Sequence, residues 1–580
     1  MTEDLLLQVR KPARYIGQEW NSTCKDFEKS ALKFALCFPD LYEVGMSNLG
    51  LRIIYGVLNS LPSVACERFF SPARDMEDIL RRNQQEIFSL ENKRRLREFD
   101  LAGFSLGYEL CYTNVLNILD LGGIPLKAVE RGNSYPLIIG AGAVVLNPEP
   151  LHEFFDLFVI GEGEEVVLEI VEVYRQHQDK FKTGAMRKEE LLLIFSHISG
   201  VYVPSLYEVK YDAQGKIGEF KPKAQGVPDK VKKRFVKDLD KAFFPLEWVV
   251  PYIEIVHDRI ILEIMRGCPN QCRFCQARLQ YYPFRKRGAD NIMHIACQAY
   301  QHTGYEEISL MGLSVSDYPQ IEGLVDSLVG NFKEKGISIS LPSIKPKSNL
   351  GRISSVIAKI KKTGLTFAPE AATDRLRAVL NKNFNSAAFF KSLEEAYLSG
   401  YQRVKLYFMI GLPDEGQADL DGIADFANQV SYLRKQAGFA PAQVNLSINA
   451  LIPKPHTPFQ WLKMEGVEAI TLKQDYLKKK IKNKKIDLNF HNIQMSFLEA
   501  VFSRGDRRLS QVVFLAFKKG ARFDAWEDYF QFWRWLEAFQ EAGLNPEFYL
   551  EARSQDEILP WDFLDIGLDK ESSACEFNKV

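Results

Sequence analysis

The residues with the clearest chemistry are three cysteines in one short segment, Cys268, Cys272 and Cys275, spaced as C-x-x-x-C-x-x-C. An aromatic residue, Phe274, directly precedes the last of them. Three thiolates on one loop can ligate three irons of a cubane 4Fe–4S cluster and leave the fourth iron without a protein ligand. An iron with an open position can bind a small chelating molecule. The segment therefore predicts a cluster with one exchangeable iron.

Zinc and a disulfide are the two alternatives. His294 or Cys297 is available as a fourth zinc ligand, but zinc sites usually bring ligands in two close pairs and the sequence has no second C-x-x-C motif. Against a disulfide, the three thiols are odd in number, and the chain has nine cysteines in 580 residues without a secretory signal. We therefore expect an iron–sulfur cluster in a cytoplasmic protein.

The segment around the cysteines resembles the cluster loop of the radical-SAM (S-adenosylmethionine) enzymes. It follows an apolar run at residues 260–265 that predicts a strand, and polar and basic residues come after it. The resemblance implies that the three cysteines ligate a 4Fe–4S cluster whose open iron binds S-adenosylmethionine. It further implies reductive cleavage to a 5′-deoxyadenosyl radical, which abstracts hydrogen from an unactivated carbon. An electron donor such as flavodoxin or ferredoxin is the expected partner.

Length and composition predict a large globular enzyme. A chain of 580 residues is expected to form two to four domains. Hydrophobic content of 46% and charged content of 26% are ordinary for a packed protein. The net charge of −1 provides no overall field for nucleic acid or membrane, and no apolar run has the length of a membrane span.

The first part of the chain alternates short apolar strands with amphipathic helices. Strands are predicted at residues 32–39, 99–106, 137–142 and 157–161. This alternation indicates a doubly wound, Rossmann-like parallel sheet, whose ligands lie beyond the carboxyl ends of the strands. Small residues, mostly glycines, follow each predicted strand and allow backbone to approach a ligand, although any α/β loop needs some glycines.

Four phrases of this region, PDLYEVGMSNLGL, GFSLGYE, IIGAGAVVLNPEPL and DLFVIGEGEE, resemble the amino-terminal domain of cobalamin-binding radical-SAM proteins. The match is best with a bacterial subgroup of uncharacterised members. The loop after the first strand lacks the histidine of a D-x-H-x-x-G motif, so the resemblance implies cobalamin without a histidine ligand on cobalt. The residues implied to contact cobalamin are Gly45, Gly50, Ser105, Gly140, Gly142, Gly161 and Glu164.

The cysteine segment opens a second series of strands and helices. Further strands are predicted at residues 307–311, 337–341, 364–368, 403–409 and 443–448. With the strand before the cysteines they fit the partial (β/α)6 barrel of the radical-SAM superfamily. The predicted domains are a Rossmann-like domain at 1–199, a β-rich connector at 200–246, the barrel at 247–465 and a small, mainly helical C-terminal region at 466–580.

The same resemblance implies that Phe274, Gly312, Glu370, Lys405 and Gly411 surround S-adenosylmethionine. The Gly-Gly-Glu turn that usually binds the methionine amino group is replaced here by MGLSVS at residues 311–316. Glu370 has two interpretations, a ribose contact or a carboxylate near the start of the next helix. His456, in the segment that closes the barrel, is either structural or catalytic, and structure is favoured.

Both folds place ligands at the carboxyl ends of their strands. If one reaction uses both ligands, the loops of Gly45, Ser105, Gly140 and Gly161 should face Cys268, Glu370 and Lys405 across a shared cavity. The predicted function is therefore a radical-SAM reaction, with cobalamin-dependent methyl transfer favoured.

Two alternatives stay open. One is a non-methylating radical reaction such as cyclisation or sulfur insertion, although the remaining cysteines form no second cluster motif. The other is an RNA- or ribosome-associated binding protein with a vestigial barrel, suggested by the lysine-rich run at residues 472–486. The sequence does not identify the substrate.

Overall fold

The computed structural model describes residues 3–341 and 364–580. Its first sheet has six strands in the order β2-β1-β3-β4-β5-β6, parallel except for β6. For the parallel strands this is the order of a flavodoxin-like sheet, which binds ligands at the switch point between β1 and β3. The strands are β1 (Leu32–Phe38), β2 (Val64–Phe70), β3 (Leu101–Ser105), β4 (Leu137–Ala141), β5 (Leu157–Val159) and β6 (Val201–Tyr202).

Strand β2 is absent from the sequence prediction because charged residues interrupt its apolar pattern. Arg68 is almost fully buried, and its guanidinium binds Glu91 at 2.6 Å and Glu19 at 2.7 Å. A buried arginine is tolerated when carboxylates neutralise it. Since Glu19 and Glu91 lie outside the strand, the local sequence gives no sign that Arg68 belongs in a core.

The connector contains the antiparallel hairpin β7 (Tyr207–Tyr211) and β8 (Ile217–Pro222), as the sequence predicts, followed by β9 (Val231–Lys232). The chain then enters a second α/β unit at β10 (Ile260–Glu263). Strand β11 (Met265–Arg266) pairs antiparallel with β12 (Arg285–Lys286), and the three cysteines lie in the segment between these two strands.

The second unit contains two parallel sheets whose strands are ordered as in the chain. One has the order β10-β13-β14 and the other β15-β16-β17-β18. Neighbouring strands that follow chain order and run parallel are the arrangement of a (β/α) barrel. The remaining strands are β13 (Glu307–Met311), β14 (Ser338–Ser340), β15 (Leu365–Glu370), β16 (Arg403–Ile410), β17 (Gln443–Ala450) and β18 (Ile486–Phe490).

Strand β18 is a seventh strand beyond the six predicted, and it pairs in parallel with β17. It lies in the region that the sequence assigns to the helical C-terminal part. The sequence does not reveal this strand, because the segment IDLNF is short, has little hydrophobic pattern of its own and follows a run of lysines. Within the lysine-rich run, Lys473 binds Glu415 and Glu465, and Lys480 binds Asp421, so part of its charge is neutralised.

Helices cover the apolar faces of the sheets. In the first domain they are Glu3–Leu6, Ala13–Ile16, Tyr42–Gly45, Leu49–Asn59, Arg74–Arg82, Tyr112–Leu121, Val166–Lys182 and Lys188–Ser196. The second unit adds Gln276–Gln280, Ala289–Thr303, Ile321–Phe332, Asp374–Val379, Ser386–Leu398, Gln417–Gln436 and Val467–Lys480. The C-terminal helices are Ile493–Arg504, Leu509–Lys518, Phe532–Glu541 and Lys570–Phe577. In the described part of the chain, no helix is both long and apolar enough to cross a membrane.

The C-terminal residues tie the units together. The Trp561 indole donates to Gln460 Oε1 at 2.7 Å, and Phe563 stacks on Phe220 of the connector at 4.5 Å between ring centroids. Strand β19 (Leu564–Asp565) pairs with β9. The segment at residues 559–563, LPWDF, therefore fastens the C-terminus to both the connector and the barrel.

Candidate functional site

A cavity of about 370 Å³ lies between the carboxyl-end loops of the first sheet and the strand ends of the second unit. On the first side its wall includes Gly50, Ser105, Gly142, Gly161 and Glu164. Its size is within the range of small-molecule sites. Five of the seven residues predicted for cobalamin thus line one cavity. It also extends between the first sheet and its helices, where Phe34, Leu36, Ile139, Val167 and Ile170 form an apolar wall.

The opposite wall contains Met265, Arg266 and Gly267, directly before Cys268, and the turn from Met311 to Leu313. The turn includes Gly312, which follows β13 in the segment that replaces the usual Gly-Gly-Glu turn. The strand ends of the two units therefore face one another across a shared cavity. Cys268, Glu370 and Lys405, which the sequence analysis places at this cavity, are not among the residues that line it, although Gly267 directly precedes Cys268.

The glycines of the first domain serve different purposes. Gly45 and Gly140 do not line the cavity, and a Cβ atom at either would meet the ring of Phe70 at 2.3 Å or of Phe158 at 2.5 Å. Glycine is needed at both positions because the phenylalanine rings occupy the space that a Cβ atom would take.

Gly142 (φ +126°) and Gly161 (φ +107°) have backbone conformations that favour glycine. Their Cβ atoms would lie 2.3 Å from the Leu106 carbonyl oxygen and 2.1 Å from that of Arg234. Gly50 differs, since in the described chain the nearest atom to a Cβ there is Asn48 Oδ1 at 3.2 Å.

The cysteine loop is held by backbone and amide contacts. Cys272 is buried, and its carbonyl accepts a hydrogen bond from the Cys275 amide at 3.3 Å. The Asn270 side-chain amide donates to Cys268 Sγ at 3.4 Å and to Asp317 at 2.7 Å. Burial raises the pKa of the Cys275 thiol, a hydrogen bond from the Arg278 backbone amide opposes this rise, and the neighbouring Cys272 and Cys268 add to it.

This donor set fits a cluster with three cysteine ligands. All nine cysteines lie in the described residues and none forms a disulfide. Among those residues, no three His, Cys, Asp or Glu side chains converge on one ion position. A cubane cluster does not need such convergence, because each cysteine ligates a different iron.

One residue predicted to contact S-adenosylmethionine packs on a hydrophobic cluster, and two others directly precede members of that cluster in the chain. Phe274 packs against a core that contains Ala371, next to Glu370, and Leu412, next to Gly411. The Gly411 amide donates to Glu415 Oε2 at 2.8 Å, which accounts for the tight turn after β16.

Lys405 is exposed on the polar face of β16, with its ammonium 4.8 Å from the Tyr407 ring centroid. Among the side-chain contacts of Lys405 with described residues, none is with Phe274, Glu370 or Gly411.

Lys382 is a candidate that the sequence did not reveal. Its ammonium binds Glu370 Oε1 at 3.0 Å and lies 5.9 Å from the Phe274 ring centroid. It therefore connects the end of β15 with the cysteine loop. Glu370 itself has a left-handed backbone conformation (φ +66°), which is uncommon for a residue other than glycine and is often found at functional sites. No motif around Lys382 indicates this position.

A buried ion-pair network that was also not predicted links the first domain to the cysteine loop. Arg266 Nη1 lies 2.8 Å from both Glu162 Oε2 and Glu164 Oε1, and its Nη2 lies 2.8 Å from Glu263. Arg285 binds Glu162 through both Nη atoms, at 2.6 and 2.9 Å. Burial opposes the charge of Arg266, but Glu263, Glu164 and Glu162 outweigh it and raise its pKa. For Glu164, burial prevails and raises the pKa of the carboxyl group.

His456 has the environment of a structural residue. It is buried, and its Nε2 hydrogen-bonds to the Leu146 carbonyl at 3.0 Å. Burial lowers the pKa of His456 to about 4. It is therefore a neutral imidazole that connects the barrel's closing segment to the first domain.

Two known families match separate parts of the chain. Residues 50–204 match the family described as radical SAM proteins, N-terminal, and residues 262–427 match the radical SAM superfamily. Together the matches cover more than half of the chain. The cysteines lie within the second match. The chain belongs to the radical-SAM superfamily and is a radical-SAM enzyme.

The relatives include the uncharacterized protein MJ0966 of Methanocaldococcus jannaschii, 27% identical over 482 residues, which cover 82% of this chain and 89% of that protein. Among solved structures, the radical SAM methyltransferase TsrM from Kitasatospora setae, with cobalamin and a [4Fe-4S] cluster bound, matches at 12% identity and a TM-score of 0.46, covering 74% of this chain and 77% of TsrM. The cobalamin-dependent S-adenosylmethionine radical enzyme OxsB, with aqua-cobalamin and S-adenosylmethionine bound, matches at 13% identity and a TM-score of 0.47. The match covers 89% of this chain and 72% of OxsB.

Proposed function

We propose that this radical-SAM enzyme uses cobalamin and transfers a methyl group to an unactivated carbon of its substrate. The observation that carries the proposal is the shared cavity of about 370 Å³. The loops of Gly50, Gly142 and Gly161 line it on the side of the first domain, and residues 265–267, which lead into the cysteine loop, line it on the other. Methyl transfer needs the methyl donor and the radical source close to one substrate carbon. A single cavity between the two sets of loops meets that requirement.

The chain supplies distinct residues for each group. Cys268, Cys272 and Cys275 would hold a 4Fe–4S cluster, and the turn at Gly312 would contact S-adenosylmethionine. Gly50 and Ser105 would lie against the corrin, and no histidine is among the described residues that line the cavity. When bound, the cluster and S-adenosylmethionine supply one-electron chemistry and the corrin supplies a transferable methyl group.

The protein's own contribution is to position these groups and to exclude water. Phe34, Leu36, Ile139 and Met265 give the cavity apolar walls. Such walls protect a reactive radical from side reactions. The buried Arg266 network fixes the first domain against the loop that precedes Cys268, so the ligands of both domains keep one geometry.

We further propose that the electron donor is a flavodoxin or a ferredoxin. The sequence does not identify the substrate, and our proposal for it is RNA or a ribosome-associated component. Its support is limited to the lysine-rich run, part of which is already neutralised by Glu415, Glu465 and Asp421.

The test has two arms. Protein mixed with hydroxocobalamin and then desalted should retain a corrin absorption spectrum. Mass spectrometry of RNA and protein from cells with and without the gene should find a methyl group that is missing without it. A desalted protein with no corrin bands would contradict cobalamin dependence and favour a non-methylating radical reaction.

A further inference from the structure

The cysteine loop has a narrow, positively charged neck. It leaves β11 at Arg266 and returns to β12 at Arg285, and these two arginines are register partners in the antiparallel pair. Like charges directly opposite one another destabilise a strand pair. By itself, the neck therefore brings together two guanidinium groups that repel each other.

Glu263, on β10 of the second unit, pairs with Arg266 at 2.8 Å, and the first domain provides further counter-charge to Arg266 and a carboxylate for Arg285. Both oxygens of Glu162 accept hydrogen bonds from Arg285, and Oε2 also lies 2.8 Å from Arg266 Nη1. Glu164 adds a second contact to the same Nη1 at 2.8 Å. The four side chains are each less than 10% exposed. Desolvated pairs of this kind depend strongly on both partners, because removal of one leaves a buried charge unpaired.

We propose that Glu162 and Glu164 are positioning residues for the cysteine loop, since they neutralise its neck and thereby set where the three thiolates are presented. The inference rests on the proposed function, because it takes the cysteines as cluster ligands. It also gives the GEGE turn a role different from the cobalamin contact that the sequence implies for Glu164. Residues 161–164 of this turn also line the cavity, so a ligand bound there would lie against the residues that hold the neck of the cysteine loop.

Anaerobically reconstituted full-length Glu162→Gln protein tests this. We expect it to lose iron to EDTA faster than wild type, because removal of a partner that orients metal ligands typically lowers metal affinity about 10- to 100-fold. Its reduced-state EPR spectrum should also respond differently to added S-adenosylmethionine. Glu149→Gln is the matched control, because Glu149 is also buried and binds Arg507 across an interdomain contact at 2.6 Å, away from the cysteines.

The double variant Glu162→Gln with Arg285→Gln separates positioning from general destabilisation. It removes one of the two opposed charges, so its iron loss should return toward the wild-type rate. If Glu162→Gln does not fold, Glu164→Gln carries the same test, because it removes one contact and keeps Glu162.

Iron retention by Glu162→Gln equal to that of wild type and of Glu149→Gln would overturn the inference and leave the proposed function standing. Absence of iron from reconstituted wild-type protein would overturn both.

Discussion

Filling the cavity at Gly50 should weaken corrin binding without unfolding the protein. In the described chain, a Cβ there would meet only Asn48 Oδ1 within 4 Å, at 3.2 Å, and Gly50 lines the cavity. Gly50→Leu therefore adds four carbons to space that the ligand would occupy. Overpacking of this kind costs about 1–3 kcal/mol. At about 1.4 kcal/mol per tenfold change, corrin affinity should fall about 5- to 150-fold.

The assay is an absorbance titration with hydroxocobalamin, together with thermal unfolding of each protein. Gly50→Ala is the control, because it adds one carbon where Gly50→Leu adds four, and alanine has the higher helix propensity at this second residue of the helix Leu49–Asn59. It should be about as stable as wild type and should keep most of its affinity. A folded Gly50→Leu protein that binds corrin as tightly as wild type would refute the placement of the corrin in this cavity.

Three further predictions concern single residues. Gly142→Ala should lower the free energy of unfolding by about 1–3 kcal/mol or more, as measured by urea titration. The reason is that Gly142 has a φ of +126° and that the Leu106 carbonyl oxygen would lie 2.3 Å from the new Cβ. Unchanged stability would contradict this prediction. Since the pKa of His456 is about 4 when folded and about 6.5 when unfolded, the unfolded state gains a proton first, and stability should fall as pH decreases from 6.5 toward 4. His456→Gln should flatten that part of the profile, and an equally steep profile would show that other groups cause it. Lys382→Met should raise the KM for S-adenosylmethionine more than it lowers kcat, because Glu370 loses its ion pair with Lys382 at 3.0 Å. An unchanged KM would contradict a role of this ion pair in binding S-adenosylmethionine.

Most strands of the first sheet and of the barrel follow from local pattern. Residues 137–142 and 157–161 are apolar runs bounded by glycine, and they become β4 and β5. Strand β2 could not be predicted, because Arg68 belongs in a core only when the distant Glu19 and Glu91 are present. Strand β18 is hidden for a related reason, since its apolar residues gain a partner only when β17 lies beside it.

The site was predictable where one short segment carries the chemistry. The three cysteines are recognisable because all the ligands come from one loop. The Arg266–Glu162 network and the Lys382–Glu370 pair join residues from separate elements, so neither leaves a local motif. The glycines were partly misleading as indicators of a ligand, since Gly45 and Gly140 give space to the rings of Phe70 and Phe158.

Iron content and cleavage of S-adenosylmethionine, measured together, test the central claim most directly. Anaerobically reconstituted wild-type protein should contain about four irons and four sulfides per chain and release 5′-deoxyadenosine when reduced with S-adenosylmethionine present. Alanine at Cys268, Cys272 or Cys275 should abolish both, whereas alanine at Cys297, a cysteine outside the loop, should leave both intact. Tightly bound zinc with no iron uptake, or cleavage that survives loss of the three cysteines, would contradict the account.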